Sequence, residues 1–198
     1  TLDRVIRRQF DVVEGDPFNP RQIREAAERI RALRFFETAD VNAREGSRPD
    51  QVIVDVDVEE TTTGSLSFGG SFSSDSGFGI VVGFRERNFL GRGQRLTANV
   101  ALSQETANYI LNFEEPAFLG RDVEFGFATS YFESRNNNSL YDTLKGTLRP
   151  SLTFPVSEFG RLTLYYSAGY SEMKDYFGVS PTLAAETAVG SRTYSFVL

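Results

Sequence analysis

From Gly64 onward the chain repeats one pattern, apolar and polar residues in alternation, in runs of about 9 to 13 residues, the length that a tilted bilayer-spanning strand requires. A period of two is that of a β-strand with one apolar and one polar face. In the first run, Gly64–Ser73, Leu66, Phe68 and Phe72 share one parity, while Ser65, Ser67, Gly69 and Ser71 share the other. Seven more runs follow, near residues 78–87, 95–103, 107–115, 123–131, 140–154, 162–170 and 192–198. Their apolar parity holds Phe78, Ile80, Val82, Phe84, Leu96, Val100, Leu111, Phe113, Phe125 and Phe127. Their polar parity includes Arg85, Arg95, Lys145 and Arg149.

A soluble sandwich would alternate as well, so period alone leaves two classes open. Strand length, cations on the polar parity and the connections favour a membrane barrel with a wet lumen. One set of connections is short and carries Phe with Gly or Pro, at 88–93, 116–122 and 155–160. The other set varies, from 74–77 through 133–139 to the long 174–191. Outer-membrane barrels have short periplasmic turns and longer outer loops. The loops 133–139 and 174–191 are therefore expected at the opposite end of the sheet from Phe89, Phe118 and Phe159. The tetrad Phe89-Leu90-Gly91-Arg92 recurs as Phe118-Leu119-Gly120-Arg121. It reads as a reused turn, since it lacks the Lys-Ser/Thr pair and the following helix of a phosphate loop.

The first sixty residues differ in kind. They hold four of the 18 Phe, none of the eight Tyr and two of the 17 Gly, which divides the chain near residue 61. Leu2, Val5, Ile6 and Phe10 share the face of a short helix. A second helix starts at Asn19 as N-cap with Pro20 at its first position and Gln22 placed to complete a capping box. Phe18 and Ile23 occupy staple positions, and Ile23, Ala26, Ala27, Ile30 and Leu33 form its apolar stripe. Two strands follow, through Ala39, Val41 and Ala43, and then through Val52, Val54, Val56 and Val58, whose valines are expected to face inward. Two strands under two helices make a marginal sheet, so a third strand is expected upstream of Thr1. Asp55, Asp57 and Glu59 alternate along one strand and read as a solvated face rather than a metal site.

With no Cys and no His, thiol chemistry, His-based triads and the usual zinc sites are excluded. A net charge of −6 without a basic stripe disfavours nucleic acid. No carboxylate dyad stands out, so no catalytic, cofactor or metal residues are assigned. No apolar run reaches the roughly 20 residues of a membrane-spanning helix. The start, TLDRVIRRQF, lacks the apolar core and cleavage site of a signal peptide and reads as part of a longer chain.

The runs VIRRQF, EGDPFNP, IRALRFFETADV and PDQVIVDVDVEE resemble the last POTRA domain of the BamA family of outer-membrane assembly factors. The stretches TTGSLSFGGSFSSDSGFGIVVGFRERNFLGRG, NFEEPAFLGRD and LTFPVSEFGRLTLYYSAGY resemble the opening strands of that family's barrel. The resemblance implies an α+β POTRA module lacking its first strand, at 1–61, and about eight antiparallel transmembrane strands of an incomplete barrel, at 62–198. The family's barrel has sixteen strands, and this chain reaches the eighth. It further implies non-enzymatic insertion of β-barrel proteins into the bacterial outer membrane, with the POTRA part in the periplasm and no cofactor. Unfolded outer-membrane proteins, assembly lipoproteins and outer-membrane lipid are the implied partners. The lateral gate falls on Gly64, Ser65, Leu66, Ser67, Phe68, Gly69, Gly70, Ser71 and Phe72, an edge expected to pair with an incoming strand, to meet another copy, or to fray. Two other readings are a two-partner secretion translocator of the same superfamily and a closed eight-stranded structural barrel.

Overall fold

The computed structural model describes the chain except residues 50, 75, 136–139, 158, 177, 190 and 198, with backbone alone for 191–197. Parts of the turns at 74–77 and 155–160 and of the loops 133–139 and 174–191 thus lie outside the described residues, as does the last residue of the eighth strand. The chain divides into two compact units, residues 1–64 with 87–93, and residues 65–86 with 94–198.

In the first unit, helix α1 (Asp3–Arg7) and helix α2 (Pro20–Ala32) precede an antiparallel pair, β1 (Phe36–Glu45) and β2 (Val52–Glu60). Asn19 caps α2, its side-chain oxygen accepting from the Arg21 N–H at 3.1 Å. The stripe of α2 is buried at Ile23, Ala26, Ala27 and Ile30, and Val5, Phe35 and Ala39 complete the core. Helix α1 is shorter than its apolar spacing suggests, ending at Arg7 and leaving Phe10 outside. The valines of β2 are not part of the buried core: Val54, Val56 and Val58 are half-buried and Val52 is exposed. A two-stranded sheet gives them too little cover, and an open concavity of about 1390 Å³ runs beside Val52, Val54 and Val56, lined also by Ile6, Phe10 and Phe18. Asp55 accepts from the Arg44 guanidinium, and Asp57 lies opposite Asp40 across the pair.

The turn 87–93 belongs to this unit through its contacts. The Leu2 N–H donates to the Gly91 carbonyl at 2.7 Å, and the Asn88 side-chain oxygen accepts from the Gly93 N–H at 2.7 Å. A Cβ on Gly93 would lie 3.2 Å from Val5 Cγ1, so the turn backbone packs against the core of α1. Nothing in the alternating pattern announced this docking.

The remaining strands form one antiparallel meander. In chain order they are β3 (Gly64–Ser73), β4 (Gly77–Phe89), β5 (Gln94–Ser103), β6 (Thr106–Glu115), β7 (Glu124–Ser134), β8 (Asp142–Pro155), β9 (Arg161–Lys174) and β10 (Ser191–Val197). Each pairs with its neighbours in sequence, and β3 and β10 are the two edges among the described residues. All eight expected strands are present. A helix, α3 (Pro181–Val189), occupies what reads as loop between β9 and β10. Strand connectivity puts Phe89, Phe118 and Phe159 at one end of the sheet, and the described parts of the loops after β7 and β9 at the other.

Among the described residues every buried hydrophobic side chain lies between Val5 and Ala39. The eight-stranded sheet therefore has no packed interior, which a sandwich would need. On the apolar parity Phe68 is 74% exposed, and none of the thirteen residues assigned to that face is buried. An apolar face of this extent is stable only against lipid or a partner surface. Among the described residues no helix is long and apolar enough to cross a membrane.

The repeated tetrad has one backbone solution. Leu90 and Gly91 have φ of 56° and 69°, and Leu119 and Gly120 have 55° and 74°. In each case the fourth residue's N–H donates to the first residue's carbonyl at 3.2 Å. Left-handed angles at both central residues with that bond are the pattern of a type I′ hairpin turn. Glycine takes such angles freely, whereas leucine does so at a cost.

Three outcomes follow from this packing. Ile30→Ala should destabilise the first unit by about 2–5 kcal/mol, read as loss of amide-exchange protection along α2. Leu111→Arg, mid-strand on the apolar face, should cost about 2–4 kcal/mol in bilayer folding titrations, while Asn112→Arg on the other face stays within about 0.5 kcal/mol. Leu119→Gly should stabilise the β6–β7 hairpin by about 1 kcal/mol in the same titration.

Candidate functional site

The nine residues assigned to the gate, Gly64 to Phe72, lie on β3, whose one neighbour among the described residues is β4. Residues 64–73 form a continuous strand. Leu66, Phe68 and Phe72 project from the apolar face at 59%, 74% and 82% exposure. On the other face the Ser67 hydroxyl donates to the Gly83 carbonyl at 3.2 Å.

Small residues set how closely β3 and β4 approach. A Cβ on Gly83 would lie 2.6 Å from the Ser67 hydroxyl oxygen and 3.1 Å from the Asn99 side-chain oxygen. One on Gly79 would lie 2.8 Å from the Ser71 hydroxyl oxygen and 3.0 Å from the Leu102 carbonyl. Around Ser67, Ser71 and Asn99, neither Gly79 nor Gly83 has room for a side chain on this face of β3, β4 and β5. On the apolar face the Phe78 ring covers Gly70, with ring atoms 3.8 Å from where its Cβ would stand. Gly69 has open space above it. The edge strand is held by one backbone ladder, few side-chain contacts and one aromatic cover.

Gly79 and Gly83 complete this site and were not singled out by periodicity. Their signal was present in the sequence as glycines repeated on the polar parity of one strand. Further round the sheet the polar face carries ions: the Arg95 guanidinium donates to Glu114 and, at 3.0 Å, to Glu124, and Arg149 lies 5.2 Å above the Tyr165 ring. These groups suit a water-filled interior. The side chains of β3 are serines, glycines and the exposed Leu66, Phe68 and Phe72.

Comparison with known proteins agrees with this geometry. The family model described as the Omp85 superfamily domain matches residues 88–193, more than half of the chain, and the POTRA model, described as surface antigen variable number repeat, matches residues 1–61. The outer membrane protein assembly factor BamA of Nitratidesulfovibrio vulgaris is 27% identical over 179 residues, covering 88% of this chain and 22% of that protein. BamA of Neorickettsia risticii is 27% identical over 199 residues, covering all of this chain and 27% of its own length. BamA of Neisseria meningitidis is 25% identical over 182 residues, covering 89% and 23%. The chain thus spans about a quarter of the length of these relatives. The crystal structure of BamA from Haemophilus ducreyi lacking POTRA domains 1–3 matches with a TM-score of 0.73 at 24% identity, over 99% of this chain and 40% of that one, a likeness of fold. The chain belongs to the Omp85 superfamily, as a BamA-type stretch in which a periplasmic POTRA module leads into β-barrel strands of the outer membrane.

Proposed function

We propose that this chain serves in the non-enzymatic assembly and insertion of β-barrel proteins into the bacterial outer membrane, with β3 as the edge that templates an incoming strand. The observation that carries the reading is the position of β3, paired on one side only among the described residues, with its apolar residues exposed. In hydrocarbon each unpaired backbone N–H or C=O costs several kcal/mol. An edge strand is a template whose cost falls when an extended chain pairs with it. Serines and glycines keep β3 thinly held, so exchange of partners breaks few side-chain contacts.

Within this reading residues 1–61 form the periplasmic module that meets unfolded outer-membrane proteins and assembly lipoproteins, and residues 62–198 are the membrane part. The same edge is where two copies of the chain would pair. The relatives' names, all assembly factors, favour this function over a secretion translocator of the same superfamily. The absence of pairing between β3 and β10 among the described residues weighs against a closed eight-stranded barrel.

The test uses the full-length protein. A photo-crosslinking residue placed at 66, 68, 70 or 72 should capture a barrel substrate during assembly, well above the same probe at 96, 98 or 100 on the interior strand β5. Equal capture at both sets, or efficient disulfide formation between residue 68 and β10 of the same molecule, would remove the gate from β3.

A further inference from the structure

The repeated tetrad is occupied once and open once. At the first copy the Leu2 N–H donates to the Gly91 carbonyl at 2.7 Å, and Leu2 is the N-cap residue of α1. The first N–H groups of a helix have no acceptor within it, and here a turn carbonyl takes up one beside them. A Cβ on Gly91 would lie 3.4 Å from Thr1 Cα, so the start of α1 rests on the bare glycine.

At the second copy the two left-handed residues have nearly the same angles. Nothing lies within 4 Å of the Cβ position on Gly120, and among the described residues no backbone N–H reaches its carbonyl. Leu119 is 81% exposed. The Arg121 guanidinium, exposed beside it, has no ion pair or hydrogen bond among the described residues. Asp122 is already taken up by Arg161 at 3.3 Å.

The tip is held firmly from below. The Phe118 N–H donates to the Val123 carbonyl at 2.8 Å, and the Ala117 N–H donates to the Glu115 carboxylate at 3.1 Å. The Phe118 ring stacks on Phe125, with centroids 5.2 Å apart. Leu119 therefore projects as a fixed knob. Its left-handed backbone is strained where glycine's would not be, and its side chain finds little cover within the chain. Strain held at an exposed position on a firm support points to a contact made elsewhere. The next short turn adds two exposed apolar side chains, Val156 and Phe159, and the Arg161–Asp122 pair joins the two turns.

We propose that the second tetrad docks the start of a helix in a periplasmic assembly lipoprotein. An unpaired N–H of that helix meets the Gly120 carbonyl, as Leu2 meets Gly91. A carboxylate of its first turn, where acidic residues are favoured, meets Arg121. Its apolar flank covers Leu119 and extends over Phe159. Protein is selected over lipid by the first copy, where the same turn is met by a helix start. Two departures shape the fit. Ala117 stands in the place of Asn88, whose side chain donates to the Thr1 hydroxyl at 2.7 Å, so the partner needs no hydroxyl there. Asp122 stands in the place of Gly93, so the partner helix lies further off than α1 does. The proposal rests on the assembly role of the chain and not on β3 as a gate.

The experiment uses the full-length protein in bilayers together with its purified assembly lipoproteins. A photo-crosslinking residue at 119 should capture one of them through a peptide that begins a helix. The same probe at 140, an exposed leucine at the other end of the sheet, should not. Leu119→Gly should weaken binding of that lipoprotein about tenfold, the scale of losing one buried leucine side chain, although it relieves the turn. Arg121→Glu should weaken it by about the same factor, and Arg121→Lys should recover most of that loss. A folded-barrel gel shift checks each variant. Capture of lipid or of a second copy alone at 119, or unchanged lipoprotein binding by folded Leu119→Gly, overturns the docking site and leaves the assembly role standing. Failure of the unaltered protein to assemble a barrel substrate with the lipoproteins present overturns the assembly role itself.

Discussion

Every backbone polar group that enters hydrocarbon must find its partner inside the protein, and the rest of this structure depends on that requirement. It accounts for the eight consecutive strands β3 to β10 among the described residues, with a 3-10 turn at Phe118–Gly120 and helix α3 lying between strands. It explains why, among the described residues, each strand of the eight-stranded sheet is paired on both sides except two. It also makes those two, β3 and β10, the positions where the free energy of the sheet can still be lowered by adding backbone. The gate proposed on β3 would draw on that deficit.

The two units solve burial by opposite means. The first encloses Val5, Ile23, Ile30 and Phe35 in a small core, as a water-soluble module does. The second leaves Phe68, Phe72 and Phe78 exposed on one face and keeps Arg95, Glu114 and Glu124 on the other. The inversion follows from the solvent on each side of the sheet, and it is why composition shifts so sharply near residue 61.

Much of this was legible in the sequence, because a period of two survives any change of context. All eight strands, both helices of the first unit and the Asn19 cap were readable from spacing and end signals, and so was the edge position of β3 from chain order. Less legible was whatever depends on space rather than period. Helix α3 has weak amphipathicity and sat within an apparent loop. The half-exposure of the β2 valines reflects how little covers them. Left-handed leucines at 90 and 119 contradict residue preference, and the repeated tetrad pointed only to a shared turn. The surroundings of Gly79, Gly83 and Gly146 differ, although all three are glycines in strands. What separates them is the distance to a neighbour, 2.6 and 2.8 Å in two cases and more than 4 Å in the third, and no sequence pattern carries a distance.

The meander has a kinetic consequence. Since each strand pairs with its neighbour in the chain, the sheet has low contact order, and no strand waits for a distant one. Loop-closure entropy then ranks the steps. Hairpin β5–β6, closed across Gln104 and Glu105 with the Ser103 hydroxyl accepting from the Thr106 N–H at 2.9 Å, has the smallest barrier. The connection from Lys174 to Ser191 is the longest, and β10 joins across it last, with α3 taking up part of the slack. Among the described strands, pairing thus spreads outward from the tight β5–β6 turn.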